Sequence, residues 1–239
     1  YRAALPEAGP DTPTIYALPG NHDWYDGLTS FLRLFGQGDR IGGWQTAQSR
    51  SYFALRLPHR WWLLAIDTQL DSYLDEPQLE YFLDVARDIG PDDRVIVCVP
   101  RPAWVMAEDH PTGYDSIDYF VRTVVEPTGA RLALMLAGDF HHYARYATAD
   151  DDSARHLITC GGGGAYRVGT AHLPDDVIVP PPVPTPRHPS PPRPFGLAAA
   201  YPSKAETRRL DLQVYGRLPW QNRRFVLLLG VMQTLLMLA

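Results

Sequence analysis

A short apolar run from Thr14 to Leu18 stops at Pro19-Gly20, the pattern of a buried strand that empties into a loop holding Gly20-Asn21-His22-Asp23. Leu28, Phe31, Leu32 and Phe35 then recur at helical spacing until Gly36 ends the pattern. Residues Ser51 to Leu57 and Trp61 to Asp67, separated by Pro58-His59-Arg60, predict a hairpin. Asp75 and Glu76 ahead of Pro77 suit the first turn of a helix whose apolar face is Leu79, Phe82, Leu83 and Ala86, and Gly90-Pro91 closes it. Arg94 to Val99 and Arg131 to Ala137 are continuous apolar runs of the kind buried on both faces, with a helical stretch around Ile117 to Val125 between them. Strands alternating with helices, their C-terminal ends opening into polar loops, predict an α/β domain with its site at those loops.

The pattern changes near residue 180. Nine of the fifteen residues from Pro180 to Pro194 are proline, which removes the backbone donors that a helix or sheet needs and favours an extended spacer. Such a stretch can also be a ligand for aromatic grooves, although it is more often a spacer alone. Arg208, Arg209, Arg217, Arg223 and Arg224 come next, and then an uncharged run, Phe225 to Ala239. Fifteen residues fall short of the roughly 20 that span a bilayer, so the run reads either as the start of a membrane segment or as an amphipathic or core helix. Arginines ahead of it predict a preceding domain on the cytoplasmic side of that membrane. The resulting division is a globular domain over 1–178, a proline-rich linker over 179–200, a basic juxtamembrane segment over 201–224 and a membrane segment beginning at 225.

With 239 residues and 45% hydrophobic content, the chain can bury one substantial core. Its net charge of -5, with both signs intermixed, gives no electrostatic reason to expect nucleic acid as a partner. Cys98 and Cys160 each end an apolar run, and we read both as buried, reduced thiols rather than as a disulfide framework. The chain opens at Tyr1 without an initiator Met or a charged-then-apolar leader, which creates the expectation of a fragment.

Two loops carry candidate chemistry. Gly20-Asn21-His22-Asp23 can turn an amide oxygen and an imidazole toward one point, although taken alone such a string is more often a polar turn with a solvated histidine. Gly138-Asp139-Phe140-His141-His142 comes after a buried strand and sets a carboxylate and an imidazole two residues apart, on one side if the chain stays extended. Alone it is equally a histidine-rich turn over the core. Both sets of side chains suit Zn, Mn or Fe, so together the loops could hold a divalent ion.

At these residues the sequence resembles the calcineurin-like metallophosphoesterases, whose third motif reads GNH(D/E) and whose last reads GHxH, each in a loop after a strand. The resemblance is closer to a bacterial and plant subgroup in which the last motif reads GDxHHY, as Gly138 to Tyr143 does. Leu18 to Leu28, Ser51 to Asp67 and Cys160 to Tyr166 share in it, and it covers residues 1–172. The resemblance implies a sandwich of two mixed β-sheets flanked by helices, lacking its N-terminal strands. It also implies a membrane-associated phosphoester hydrolase in which two divalent ions (Mn, Fe or Zn) share a hydroxide that attacks phosphorus.

Carried over by position, Asn21 would bind one metal and His141 the other, with Asp139 where the family has a histidine. His22 would be catalytic, bonding the phosphate or protonating the leaving oxygen. His142 and Tyr143 would lie beside the ligands or at the pocket rim, where His142 could contact substrate, or else be structural. Ahead of Gly20 the family's first motifs, DxH and GDxxD, do not occur, and Tyr1 to Leu5 resembles the segment that comes directly after the second of them. The chain by itself is therefore expected to be inactive. A metal-binding histidine, within HEPxW in the subgroup, is replaced in Pro100-Arg101-Pro102-Ala103-Trp104 by Pro100, which cannot coordinate. Arg101 could instead offer a bidentate guanidinium to substrate phosphate. Arg167-Val168 stands where a histidine-containing sequence is expected. Two readings result: an enzyme acting on a small-molecule or lipid phosphoester, or a degenerate domain that binds a ligand or partner without catalysis.

Overall fold

The computed structural model describes residue 9 and residues 12–68, 73–106, 112–149, 154–162, 166, 168–181 and 190–238. A small three-stranded sheet joins β1 (Thr14–Ile15), β3 (Trp44–Thr46) and β2 (Arg40–Ile41), with α1 (Thr29–Phe35) between the first two in sequence. The main sheet has eight strands in the order β10-β11-β8-β9-β7-β6-β5-β4. Its centre is four parallel strands, β5 (Trp61–Ala65), β6 (Arg94–Val99), β7 (Arg131–Ala137) and β9 (His156–Cys160). Antiparallel partners extend it on both sides: β4 (Phe53–Leu57) beside β5, and β8 (Tyr143–Ala147), β11 (Arg193–Tyr201) and β10 (Asp176–Val179) beyond β9. The chain is thus α/β with two mixed sheets and flanking helices.

The helices sit where the apolar spacing predicts. The helix α2 (Glu76–Ala86) begins with Pro77 in its first turn, and the Asp75 carboxylate caps it by accepting from the Gln78 N–H. The helix α3 (Asp115–Phe120) runs on through a π-turn over Val121–Val125. Phe82 and Phe120 meet edge to face with centroids 5.1 Å apart, and they close a core with Val95, Val97 and Val99 of β6.

Three expectations are corrected. On β6 only Val95, Val97 and Val99 are fully buried, while Ile96 and Cys98 on the other face stay partly exposed, because α2 and α3 cover one face only. Residues 193–200, expected within the spacer, instead form most of β11, which pairs with both β8 and β10 and sets Phe195 in the core at 4% exposure. Proline is tolerated there because the β8 ladder begins at Gly196, past Pro194, so the missing donor interrupts no bond on that side. Residues 182–189, the densest part of the proline run, lie outside the described residues. Cys160 ends β9 and is exposed, whereas Cys98 is partly buried and burial pushes its thiol up to about 11; both are free thiols.

After β11 come α4 (Lys204–Gln221) and α5 (Arg223–Leu238). Thr207 in α4 is 3% exposed, and its hydroxyl accepts from the Thr170 N–H at 3.1 Å, so the start of α4 is docked on the domain. Among the described residues no helix is long and apolar enough to cross a membrane; α5, with 16 residues, carries the apolar run.

Candidate functional site

Every parallel strand delivers a polar loop at its C-terminal end: Asp67 and Thr68 after β5, Pro100 and Arg101 after β6, Gly138 and Asp139 after β7, Gly161 and Gly162 after β9. A parallel sheet points these ends the same way, which is why its ligand sites gather there.

The loop after β1 joins them as a 3-10 turn, Asn21–Asp26. Asp23 fastens its start, its carboxylate accepting from the Gly20 N–H at 2.8 Å. Trp24 ties the turn to the sheet by donating its indole N–H to Asp67 Oδ1 at 3.2 Å. Asp67 is held in turn: the side-chain amide of Gln78 accepts from its N–H at 2.8 Å and donates to its carbonyl at 2.9 Å. Asp67 and Gln78 are each 1% exposed, so this clamp works where water cannot substitute for it.

Pro19, Gly20, Asn21, Trp24, Thr68, Pro100 and Arg101 line one narrow cleft. Its free volume is about 10 Å³, room for roughly one water. Arg101 closes its inner side by an ion pair, its Nε 2.9 Å from Asp139 Oδ2, with the two side chains 25% and 18% exposed. Asp139 adopts φ 61°, a left-handed conformation that Asp and Asn tolerate better than most residues.

The two histidines after Asp139 take other positions. Their backbone leans on the β9 side, where the His141 carbonyl accepts from the Val168 N–H and the His142 carbonyl from the Gly161 N–H. Gly161 is required for this approach: a Cβ there would lie 2.2 Å from the Phe140 carbonyl oxygen. The His141 ring packs edge-on against Tyr166 at 4.7 Å, and its buried Nδ1 has no hydrogen-bond partner among the described residues. His142 is 2% exposed with neither ring nitrogen bonded among the described residues, and burial, helped by His172, lowers it to about 4.

Of the residues expected to act, Asn21 and Arg101 share the cleft, and Asp139 reaches it through Arg101. His22 is exposed on the outer side of its turn, with its ring 4.9 Å from Tyr25. It does not line the cleft, and neither do His141 or His142. Arg167 lies outside the described residues. Sequence reasoning missed Asp67 and Trp24, although Asp67 ends a buried apolar strand in the same way as Asp139.

The described residues by themselves do not fit a two-ion centre. Among the described residues no group of three His, Cys, Asp or Glu side chains could hold a metal ion. Asp139 gives its carboxylate to Arg101, and Pro100 has no donor atom to offer. A feature that suits a ligand is the His141 Nδ1, unbonded among the described residues, as are both ring nitrogens of His142.

No protein-family model matches the chain, and no curated protein matches it. Among solved structures it is similar to GAP50, the anchor in the inner membrane complex of Plasmodium, at 18% identity and a TM-score of 0.41. That alignment covers 63% of this chain and 50% of the other. It is also similar to the purple acid phosphatase PPD1 from yellow lupin (Lupinus luteus) seeds, at 12% identity and a TM-score of 0.37, over 54% of this chain and 25% of that one. Both likenesses are partial. The chain spans half or less of the length of each, and at these scores neither assigns an activity.

Proposed function

We propose that the loops at the C-terminal edge of the parallel strands recognise a phosphoester, in the manner of a calcineurin-like phosphoesterase in which a guanidinium has taken over part of the metals' charge. The observation that carries this is the Arg101–Asp139 pair, set at the ends of neighbouring strands β6 and β7 and beside Asn21. A phosphoryl oxygen competes with the Asp139 carboxylate for the Arg101 fork, and the Asn21 amide faces the same cleft. The closed cleft then opens as Arg101 changes partner. In this reading His22, exposed on the same turn as Asn21, meets the ester's leaving group.

A second reading, metal-dependent hydrolysis by the full-length protein, is favoured by the unbonded His141 Nδ1. In that reading Asn21 and His141 hold ions, and further ligands come from outside the described residues. The apolar run in α5, preceded by Arg208, Arg209, Arg217, Arg223 and Arg224, supports association with a membrane whose cytoplasmic face carries the domain. A small-molecule or lipid phosphoester is compatible with that placement.

The test is elemental analysis of the full-length protein, purified without chelator, beside titration with inorganic phosphate and turnover of p-nitrophenyl phosphate. We expect at most one transition-metal ion per chain and phosphate binding weakened at least tenfold by Arg101→Ala. Two ions per chain, with chelator-sensitive turnover that survives Arg101→Ala, would overturn the guanidinium reading in favour of the two-metal enzyme.

A further inference from the structure

A second cavity lies at the other end of the parallel strands. It forms where β7 and β9 begin, under α3 and its π-turn, and is closed by the end of β10 and the start of β11. The length of β7, seven residues, separates it from the Arg101 cleft by about 20 Å. Its free volume is about 60 Å³, space for roughly four waters.

Its walls are apolar at Leu157 and Phe195, and its polar lining mixes cations, the carboxylates of Asp118 and Glu126, and polar atoms without a bond among the described residues. Arg155 and Arg193 both line it. Arg155 is partly buried, and among the described residues nothing accepts a hydrogen bond from its guanidinium. Burial, and next the like charge of Arg193, lower it from the usual guanidinium range. His156 Nδ1 and Ser190 Oγ, from two further lining residues, are buried without a partner among the described residues. Asp118 also borders the space, but its carboxylate is committed to Arg122 Nε at 2.9 Å and to the Ser190 N–H. Among the described residues, Arg122 and Arg131 stand near Arg155 and Arg193, against the carboxylates of Asp118 and Glu126.

An unbonded, partly buried guanidinium is costly unless something answers its charge, and two orphaned polar atoms around the same space repeat that demand. We propose that this cavity is a binding site for a small oxyanion, a phosphate or carboxylate group, held by the Arg155 fork with Arg193, His156 and Ser190 around it. The oxyanion supplies acceptors to both guanidinia, and its size matches the four-water space. The inference does not rest on the Arg101 reading, since the two sites share no residue.

Calorimetric titration of the full-length chain with inorganic phosphate, acetate and chloride separates the cases. The expected result is an oxyanion site that persists in Arg101→Ala, loses at least tenfold in affinity in Arg155→Ala and Arg193→Ala, and is only partly kept by Arg155→Lys, which retains the charge without the fork. Phosphate binding well above acetate identifies a phosphoryl ligand, and equal binding identifies a carboxylate; in either case chloride does not compete. Because the Arg155 guanidinium makes no hydrogen bond among the described residues, Arg155→Ala should fold, and Arg193→Ala on the strand rim is the second variant if it does not. Titrations in which both variants bind like the parent, or in which Arg101→Ala abolishes all oxyanion binding, would overturn the proposal. Loss with Arg101→Ala alone reports on the other cleft, so the two readings fail separately.

Discussion

The two ends of the parallel strands handle the same problem, a guanidinium withdrawn from water, in opposite ways. At the C-terminal end Arg101 has Asp139 at 2.9 Å, and the cleft beside it has closed to about 10 Å³. At the N-terminal end Arg155 has no such partner among the described residues, and about 60 Å³ stays open in front of it. A paired cation stabilises the site in its closed form and must be taken from its partner by a ligand. An unpaired cation weakens the empty fold and is answered by a ligand directly. The motif-bearing end is therefore built for order, and its polar loops are fastened from behind.

That fastening is where substitution should cost most. Gln78→Leu removes both hydrogen bonds that the Gln78 amide makes to the buried Asp67 backbone and should cost about 3 kcal/mol, at 1–3 kcal/mol for each buried bond lost. Urea unfolding measures it, and loss of phosphate binding at the Arg101 cleft, with the Arg155 cavity unaffected, would show that the clamp serves one end only. Gly161→Ala comes next. Its Cβ would meet the Phe140 carbonyl oxygen at 2.2 Å, so the Gly138–His142 loop must move. A cost of about 2 kcal/mol is expected, as for other overpacked sites. An unchanged unfolding midpoint would show that the β9 loop is free to retreat.

A smaller effect appears only in acid. Burial holds His142 neutral down to about 4 in the folded chain, whereas in the unfolded chain it takes up a proton below about 6.5. The unfolded state therefore binds more protons in the window between those values, and stability falls as pH drops through it. His142→Phe should remove about 1–2 kcal/mol of that loss at pH 4.5 relative to the parent. Superimposable stability–pH curves for the two proteins would show that His142 is protonated inside the fold.

The sequence was legible locally. The apolar runs at 94–99 and 131–137, the hairpin around Pro58-His59-Arg60 and the helix behind Asp75 all appear where their spacing put them, because each is fixed by neighbours in the chain. Asn21 and Arg101 were likewise readable from motif and register. The Arg101–Asp139 pair was not, since 38 residues separate its members and only the adjacency of β6 and β7 brings them together. β11 was hidden by composition: its proline-rich start suggests a spacer, while its apolar stretch from Phe195 to Ala200 comes too soon after to be separated. The burial of His142 is explained by parity with Ala144 and Tyr146 on the inner face of β8, a clue that the pair of histidines obscures. The Arg155 cavity draws on segments from Tyr114 to Phe195, and no sequence window contains it.

The smallest expected effects discriminate best between the two ends, because they differ in sign. Asp139→Asn keeps a residue that tolerates φ 61° while removing the negative charge, so it isolates the ion pair from the backbone. It should lower stability by about 1 kcal/mol, the scale of a partly exposed pair, and should raise phosphate affinity at the Arg101 cleft by freeing the fork. Arg155→Met keeps the side chain's length and removes a charge that the nearby Glu126 carboxylate favours but that has no ion pair among the described residues. It should raise the stability of the ligand-free protein by up to about 1 kcal/mol, because a desolvated charge gives way to an apolar group. Thermal unfolding in phosphate-free buffer measures both. If the two substitutions shift the midpoint in the same direction, then Arg155 is paired in solution after all, and the two ends of the sheet are alike.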